Sequence, residues 1–419
     1  MRILFVSLEG DGAWYIWLLQ KNGHKVDWTI SKQKNIETLA GIIPPPLSKA
    51  PDPSRYDLIV FDSSGLGVAA DAARTVTPTI GSSELADRLE HDRIFGLEAM
   101  EQAGIRVPTW EPFDDKAKAI KWLRDTDKRC VLKPLNDENL PKDTTYVAKS
   151  ADDMIAYIEK KLHPKVKSFI LQEFVTGTEV ATEAWWTGTS WVALNHTLEE
   201  KKFMSGGLGP NTGCAGNVLW MPERPNTLFQ RGLDKIAPLL KQHNFVGSMD
   251  LNTIVTEGEI YGLEWTPRFG YEGTCNLTRL LPIEFGDFMY SVATGQTPTL
   301  GSPRYRFAAT VQLSVPPYPS AELSRKLEKV PVAGISLERA ESFFLRDLML
   351  KDGELVTCGR YNAVGTPIGC GETIGQAFEE VDAAIKRLDI PNLQYRNDIR
   401  ACVEKRYAML RECGWLRSI

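Results

Sequence analysis

Hydrophobic and polar positions along the first eighty residues follow two alternating periods. The short apolar run MRILFVS breaks into LEGDGAW, an apolar-periodic stretch from Trp14 to Gln20 follows, and KVDWTI comes next. These spacings predict a strand, a small-residue turn, a helix and a second strand. YDLIVFDSSGLG repeats the apolar strand that breaks into Ser and Gly. Strands that each end in such a turn before a helix predict a parallel α/β sheet, with a crevice beyond the carboxyl ends of its strands. ELADRLEHDRIFGLEAMEQAGIRVP then reads as one long helix ending at Gly104 and Pro108.

Three later stretches carry candidate chemistry. CVLKP is an apolar strand interrupted by Lys133. A strand lysine is ordinarily an edge residue, but aimed into a cleft it can hold phosphate oxygens. QEFVTGTE then supplies a strand end, an exposed turn and a carboxylate, Glu179, at the spacing expected for an adenine hinge and a ribose hydroxyl. FVGSMDLNTIVTEGEIYGLEWTPRFG predicts two antiparallel strands joined at TEGE, with Asp250 on the first and Glu264 on the second. Opposed residues on such strands lie about 4.5–5.5 Å apart, so two acids there would share magnesium and would repel each other without a cation. The alternative is a solvated hairpin with incidental acids. Between these stretches, LEEKKFMSGGLGPNTGCAGNVLW has a glycine density that belongs where backbone turns sharply or lies against a ligand. A plain surface loop is the other reading.

Composition removes several classes of function. The 419 residues are 43% hydrophobic and 25% charged with net charge −5, and no run of like charges suggests a nucleic-acid arm or a membrane-surface patch. No apolar stretch approaches a membrane span and the start lacks the marks of a signal peptide, so a cytosolic protein is expected. Seven cysteines without a C-x-x-C pair argue against a disulfide framework and a zinc site, and the five histidines are scattered. Gly10 and Gly12 form only a partial dinucleotide signal, because the third glycine is missing.

KKFMSGGLGPNTGCAG is similar to a signature reading Lys-Arg-Val-Gly-x-x-x-Thr-Gly-Pro-Asn-Thr-Gly-Gly-Met-Gly, and LEWTPRFG to Glu-Phe-Asn-Ala-Arg-Phe-Gly. The C-terminal stretch from KDGELVTCGRYN to QYRNDI resembles the closing domain of the same family. That family is glycinamide ribonucleotide synthetase, or phosphoribosylamine–glycine ligase, of the ATP-grasp superfamily, and the likeness spans nearly the whole chain. It implies an α/β ATP-grasp fold with an N-terminal parallel domain over 1–85, an ATP-grasp domain over 86–300 with a mobile lid at about 108–172, and a small C-terminal domain over 301–419.

The resemblance also implies an ATP-dependent carboxylate–amine ligase that works through an acyl phosphate. The alternatives are a diverged ligase for another amino acid and amine, and a nucleotide-binding homologue that has lost catalysis. Carried over by position, Arg93 and Lys133 contact phosphate, Glu173 and Val175 form the adenine hinge, Glu179 binds ribose, and Lys202 joins the ATP site. Asp250, Glu264 and Thr266 fall at positions for magnesium, with manganese as the alternative ion; Thr266 stands where the family has asparagine. Lys133 and Arg268 form the catalytic pair, with Arg268 facing the reacting carboxylate. Gly10, Asp11, Asp62, Ser63, Asn211, Thr212, Gly213 and Glu272 complete the substrate set, and backbone N–H groups of residues 206–216 are expected to reach phosphate or acyl oxygens.

Some loops depart from the family pattern. SLEGDGAW replaces Gly-Gly-Arg-Glu-His-Ala, DSSGLG replaces Gly-Pro-Glu, PLNDENLPKDTTY replaces a glycine-rich lid loop, and YEG replaces Asp-Pro-Glu. Glu9 and Asp11 are expected to repel a sugar phosphate by on the order of 1 kcal/mol each. They would favour a cationic or hydroxyl-rich amine instead. Small-molecule substrates, no nucleic acid, no membrane, and a monomer or weak homo-oligomer complete the expectation.

Overall fold

The computed structural model describes residues 1–135, 145–222, 226–320 and 329–417. Strand β1 (Arg2–Ser7), helix α1 (Ala13–Lys21), β2 (Lys25–Ile30), β3 (Leu58–Phe61), α2 (Gly67–Arg74) and β4 (Thr79–Ile80) make a four-stranded sheet in the order β2-β1-β3-β4. All of its pairs are parallel, as the repeated strand-turn-helix pattern requires. The LIVF of β3 is buried throughout, the usual state of a parallel strand covered on both faces.

The long helix expected next is two helices, α3 (Glu84–His91) and α4 (Arg93–Gln102). Asp92 leaves the helical region at φ −92° and ψ 91°, and its side chain accepts the Phe95 N–H. An aspartate that caps a new helix competes with continuation of the old one. The break puts Arg93 at the first position of α4.

A second layer consists of β5 (Trp110–Phe113), α5 (Lys116–Thr126), β6 (Cys130–Pro134), β7 (Tyr146–Val147), α6 (Ala151–Lys160) and β8 (Phe169–Glu173), with strand order β5-β8-β6-β7. Its own apolar core includes Phe113, Leu123, Cys130, Leu132, Ile158 and Phe169. Strand period 2 turns Cys130 and Leu132 into that core and Lys133 to the opposite face. β6 lies between β8 and β7, and Lys133 pairs with Ile170 of β8. Most of the substituted lid loop, residues 136–144, lies outside the described residues.

The third layer is a nine-stranded sheet. It contains β9 (Thr178–Trp186), β10 (Trp191–Met204), β11 (Leu208–Trp220), β12 (Gly247–Val255), β13 (Ile260–Thr266), β14 (Phe307–Val311), β15 (Leu313–Ser314), β16 (Phe343–Leu345) and β19 (Ala363–Gly371). Its main path runs β13-β12-β9-β10-β11-β14-β19-β15, and the hairpin β17 (Leu348–Lys351) and β18 (Glu354–Thr357) stands apart. The sheet therefore crosses residue 300 without interruption. Short helices α7 (Thr227–Arg231) and α8 (Ala237–Gln242), then α9 (Glu272–Leu280), α10 (Phe285–Ala293), α11 (Ile374–Ile385) and α12 (Ile399–Glu412), complete the chain. One apolar core joins the N-terminal layer to this sheet: the Trp14 ring meets Phe344 at 5.3 Å and the Tyr15 ring meets Phe269 at 5.3 Å.

Candidate active site

Four adjacent strands place their polar residues on one face. Strands β12 and β13 are antiparallel, as the pattern predicts, but their register differs from the expectation: Asp250 opposes Thr266, and Glu264 opposes Asn252. Asp250 and Glu264 are thus diagonal neighbours. The length of the TEGE turn, together with a bulge at Asn252 and Thr253, shifts the pairing by two residues. Asn252 donates from Nδ2 to Glu179 Oε1 at 2.9 Å and to Glu264 Oε1 at 3.4 Å. Lys201 on β10 joins the same two carboxylates, 3.1 Å from Glu179 and 3.6 Å from Glu264. The ammonium of Lys201, then the positive charges of Lys133 and Arg93 further off, hold the Glu264 carboxyl well below the usual range.

The cation in this row is Lys201, whereas the resemblance implies Lys202 in the ATP site. Neighbouring strand residues point to opposite faces, and Lys202 pairs across the hairpin with Asn211. Deeper in the sheet, Asp250 opposes Glu183 of β9. Burial, then mutual repulsion, pushes Glu183 up to about 8, while burial pushes Asp250 up to about 7. Asp250 Oδ1 is buried without a hydrogen-bond partner among the described residues. That spare oxygen, together with the hard oxygens of Glu264, fits a magnesium ion.

Arg93, Glu264, Thr266 and Arg268 line one concave pocket, backed by Leu89, Leu97 and Met100. The pocket also contains Glu90, which no sequence motif singles out although it lies three residues before Arg93. Arg268 donates from Nε to Glu90 Oε1 at 2.8 Å and from Nη1 to the Phe269 carbonyl at 3.2 Å. A carboxylate substrate is therefore left the end of the guanidinium, Nη1 and Nη2, and not its Nε side. Burial opposes the charge of Arg268, but Glu90 beside it raises its pKa and keeps it cationic. On the facing layer, burial and then the like charge of Arg93 bring the Lys133 ammonium down to about 8. Glu173 ends β8, where its Oε2 accepts from Thr109 Oγ1 at 2.5 Å, and Val175 lies half-buried in the connection to β9.

The glycine-rich segment is mainly a hairpin of β10 and β11 rather than an open loop. Gly206 and Gly207 turn it at φ 73° and 70°, a region that side chains disfavour. Its tip is clamped from the C-terminus: Gly206 N–H donates to Asp398 Oδ2 at 2.7 Å, Ser205 to Asn397 at 3.0 Å, and buried Arg396 to the Lys202 carbonyl at 3.0 Å. The QYRNDI ending is thus a structural clasp. Pairing jumps from Lys202–Asn211 to Glu200–Gly216, so residues 212–215 bulge against Lys201 alone, with Thr212 Oγ1 on its carbonyl at 2.8 Å. This bulge leaves main-chain groups of residues 212–214 outside the β10–β11 ladder, while the Ala215 carbonyl accepts from the Gln312 N–H at 3.0 Å. Gly213 lies there, and among the described residues a Cβ on it would meet nothing within 4 Å.

The N-terminal loop is held by contacts the local sequence could not disclose. Asp62 is fully buried and accepts from Ser7 Oγ at 2.9 Å and Gly12 N–H at 3.0 Å, while Ser63 Oγ takes the Leu8 N–H at 3.1 Å. Gly10 donates to Ser7 Oγ at 2.9 Å. Burial pushes the Asp62 carboxyl up to about 7. Glu9 and Asp11 are not bare charges facing a crevice. Arg346 lies 3.3 Å from Asp11 and 2.6 Å from Glu272; Arg360, almost fully buried, lies 3.2 Å from Asp11 and 3.3 Å from Glu9; Lys32 also pairs with Glu9. Repulsion of a sugar phosphate by two uncompensated acids is therefore corrected: arginines far along the chain neutralise them.

A small four-stranded layer carrying Lys133, beside a large sheet carrying Glu179, Asp250 and Glu264, is the architecture of an ATP-grasp protein. The family model described as phosphoribosylglycinamide synthetase, ATP-grasp (A) domain, matches residues 91–274. Those residues, which include β6 to β13, are similar to that family. Phosphoribosylamine–glycine ligase of Rhizobium meliloti (strain 1021) is 26% identical over 349 residues, covering 80% of each chain. That of Leifsonia xyli subsp. xyli (strain CTCB07) is 26% identical over 370 residues, covering 83% of this chain and 84% of its own. The crystal structure of phosphoribosylamine–glycine ligase from Thermotoga maritima shares the fold, with a TM-score of 0.73 at 21% identity, over 95% of this chain and 100% of that one. Among the described residues, no helix is long and apolar enough to cross a membrane.

Proposed function

We propose that the protein is an ATP-dependent ligase that joins glycine to 5-phosphoribosylamine through an acyl phosphate. The observation that carries the reading is the shared pocket of Arg93, Glu264, Thr266 and Arg268, with Lys133 facing it from the second layer. Arg268 holds the substrate carboxylate through its two terminal nitrogens while Glu90 fixes its orientation. Arg93 and Lys133 neutralise the nucleotide phosphates, and Glu179 takes the ribose hydroxyls. Asp250 and Glu264 would hold magnesium, which supplies charge neutralisation for phosphoryl transfer.

A carboxylate oxygen attacks the terminal phosphorus and the bond to the bridging oxygen breaks, releasing ADP. The amine lone pair then attacks the acyl carbon, the carbon–oxygen bond to phosphate breaks, and the nitrogen loses a proton to leave the amide. Closure of the β5–β8 layer over the pocket would exclude water from the acyl phosphate. The test is stoichiometry: with ATP, glycine and freshly made phosphoribosylamine, ADP and phosphate should appear in equal amounts with the amide. ADP release with other amine and amino-acid pairs but not this one would refute the substrates; no release with any pair would refute the ligase.

A further inference from the structure

The row of residues on the central sheet contains a cation of its own, placed where the reaction needs another. Lys201 Nζ stands 3.1 Å from Glu179 Oε1 and 3.6 Å from Glu264 Oε1, and Asn252 Nδ2 contacts the same two oxygen atoms. Glu264 is also the acid assigned to the metal. A divalent ion takes carboxylate oxygens at short range, and an ammonium held between the same carboxylates would repel it. Lys201 is 32% exposed, Glu179 41% and Glu264 46%, so the ammonium can leave on its flexible stem without crossing packed core.

We propose that Lys201 is an internal counter-ion of the nucleotide site, displaced when the metal–nucleotide enters, so that the free protein binds divalent metal weakly and the nucleotide makes the site receptive. The inference rests on the reading of this face as the ATP site. The phosphates bring the negative charge that releases Lys201 from Glu264 and gives its ammonium a new partner. Lys201 is thereby a positioning residue: before nucleotide arrives it keeps Glu179 and Glu264 from repelling each other, and on binding it yields the metal position.

The experiment is manganese binding to the nucleotide-free, full-length protein, read by electron paramagnetic resonance, for wild type, Lys201→Met and Lys201→Arg. Methionine keeps the stem and removes the charge; Lys201→Gln replaces it should the methionine variant fold poorly by circular dichroism. Manganese is expected to bind Lys201→Met about tenfold more tightly than wild type, Lys201→Arg as weakly as wild type, and the difference is expected to shrink at saturating ADP. Equal manganese affinity in wild type and Lys201→Met, with manganese–ADP binding intact, overturns the inference alone. Tighter manganese binding by Lys201→Arg also overturns it. Failure of wild type to bind manganese–ADP overturns the ATP-site reading and this inference with it.

Discussion

Asp11→Asn separates what the local sequence implies about the N-terminal loop from what the structure builds there. Asparagine keeps the size and one acceptor oxygen while removing the charge that lies 3.3 Å from Arg346 and 3.2 Å from Arg360. At an effective dielectric of about 20, each of those pairs has a Coulomb attraction of about 5 kcal/mol. Desolvation offsets much of it, and Asp11 retains 20% exposure. Arg346 keeps Glu272, and Arg360 keeps Glu9 and Asp347, so neither arginine is stranded. The net loss should be about 2 kcal/mol, between the values of exposed and fully buried pairs. Urea unfolding followed by tryptophan fluorescence measures it, and Arg360→Met should cost less in the Asp11→Asn background than in wild type, because the two residues share a contact. A loss below about 0.5 kcal/mol, with additive effects, would show that Asp11 faces the crevice unpaired and would restore the repulsion argument.

Three further outcomes are expected. Lys133 is held at about 8 by burial and Arg93, below its ordinary value, so its charge in the free protein is lost as pH rises through that value; ADP affinity should fall above pH 8 and be level below it, and calorimetric affinity unchanged to pH 10 would remove Lys133 from the phosphates. Glu183 is raised to about 8, so the folded protein keeps a proton the unfolded chain gives up, and stability declines from the ordinary carboxylate range up to that pH. Glu183→Gln should therefore raise the melting temperature at pH 8.5 and leave it little changed at pH 4; an equal effect at both would refute the shift. Glu90→Gln weakens a charge-assisted bond to Arg268, so KM for the carboxylate should rise about fivefold with little change in kcat, whereas an unchanged KM would mean that Arg268 does not bind that substrate.

Local pattern was enough for the elements whose chemistry is local. Arg2–Ser7 and Leu58–Phe61 are strands because their apolar runs break into small residues, and the parallel sheet follows from that repetition. Lys133 was legible because one charge stands alone in CVLKP. Arg93, Glu264 and Arg268 were legible through motifs, and the pocket brings them together. Those signals survive without coordinates because alternation, turn residues and charge are properties of the chain itself.

What only the tertiary structure decided is register and partnership. The turn from β12 to β13 and the bulge at Asn252 and Thr253 together make Asn252, not Asp250, the residue opposite Glu264, and strand parity on β10 makes Lys201, not Lys202, the cation between the acids. Strand parity reverses with each residue, so a sequence that carries KK states that a cation is present but not which one faces the site. The charges of Glu9 and Asp11 read as repulsive because their counter-ions, Arg346 and Arg360, lie more than three hundred positions away in the chain. Electrostatic character depends on distance in space, and sequence separation carries no information about it until the sheet continues across residue 300 and returns those arginines to the first loop.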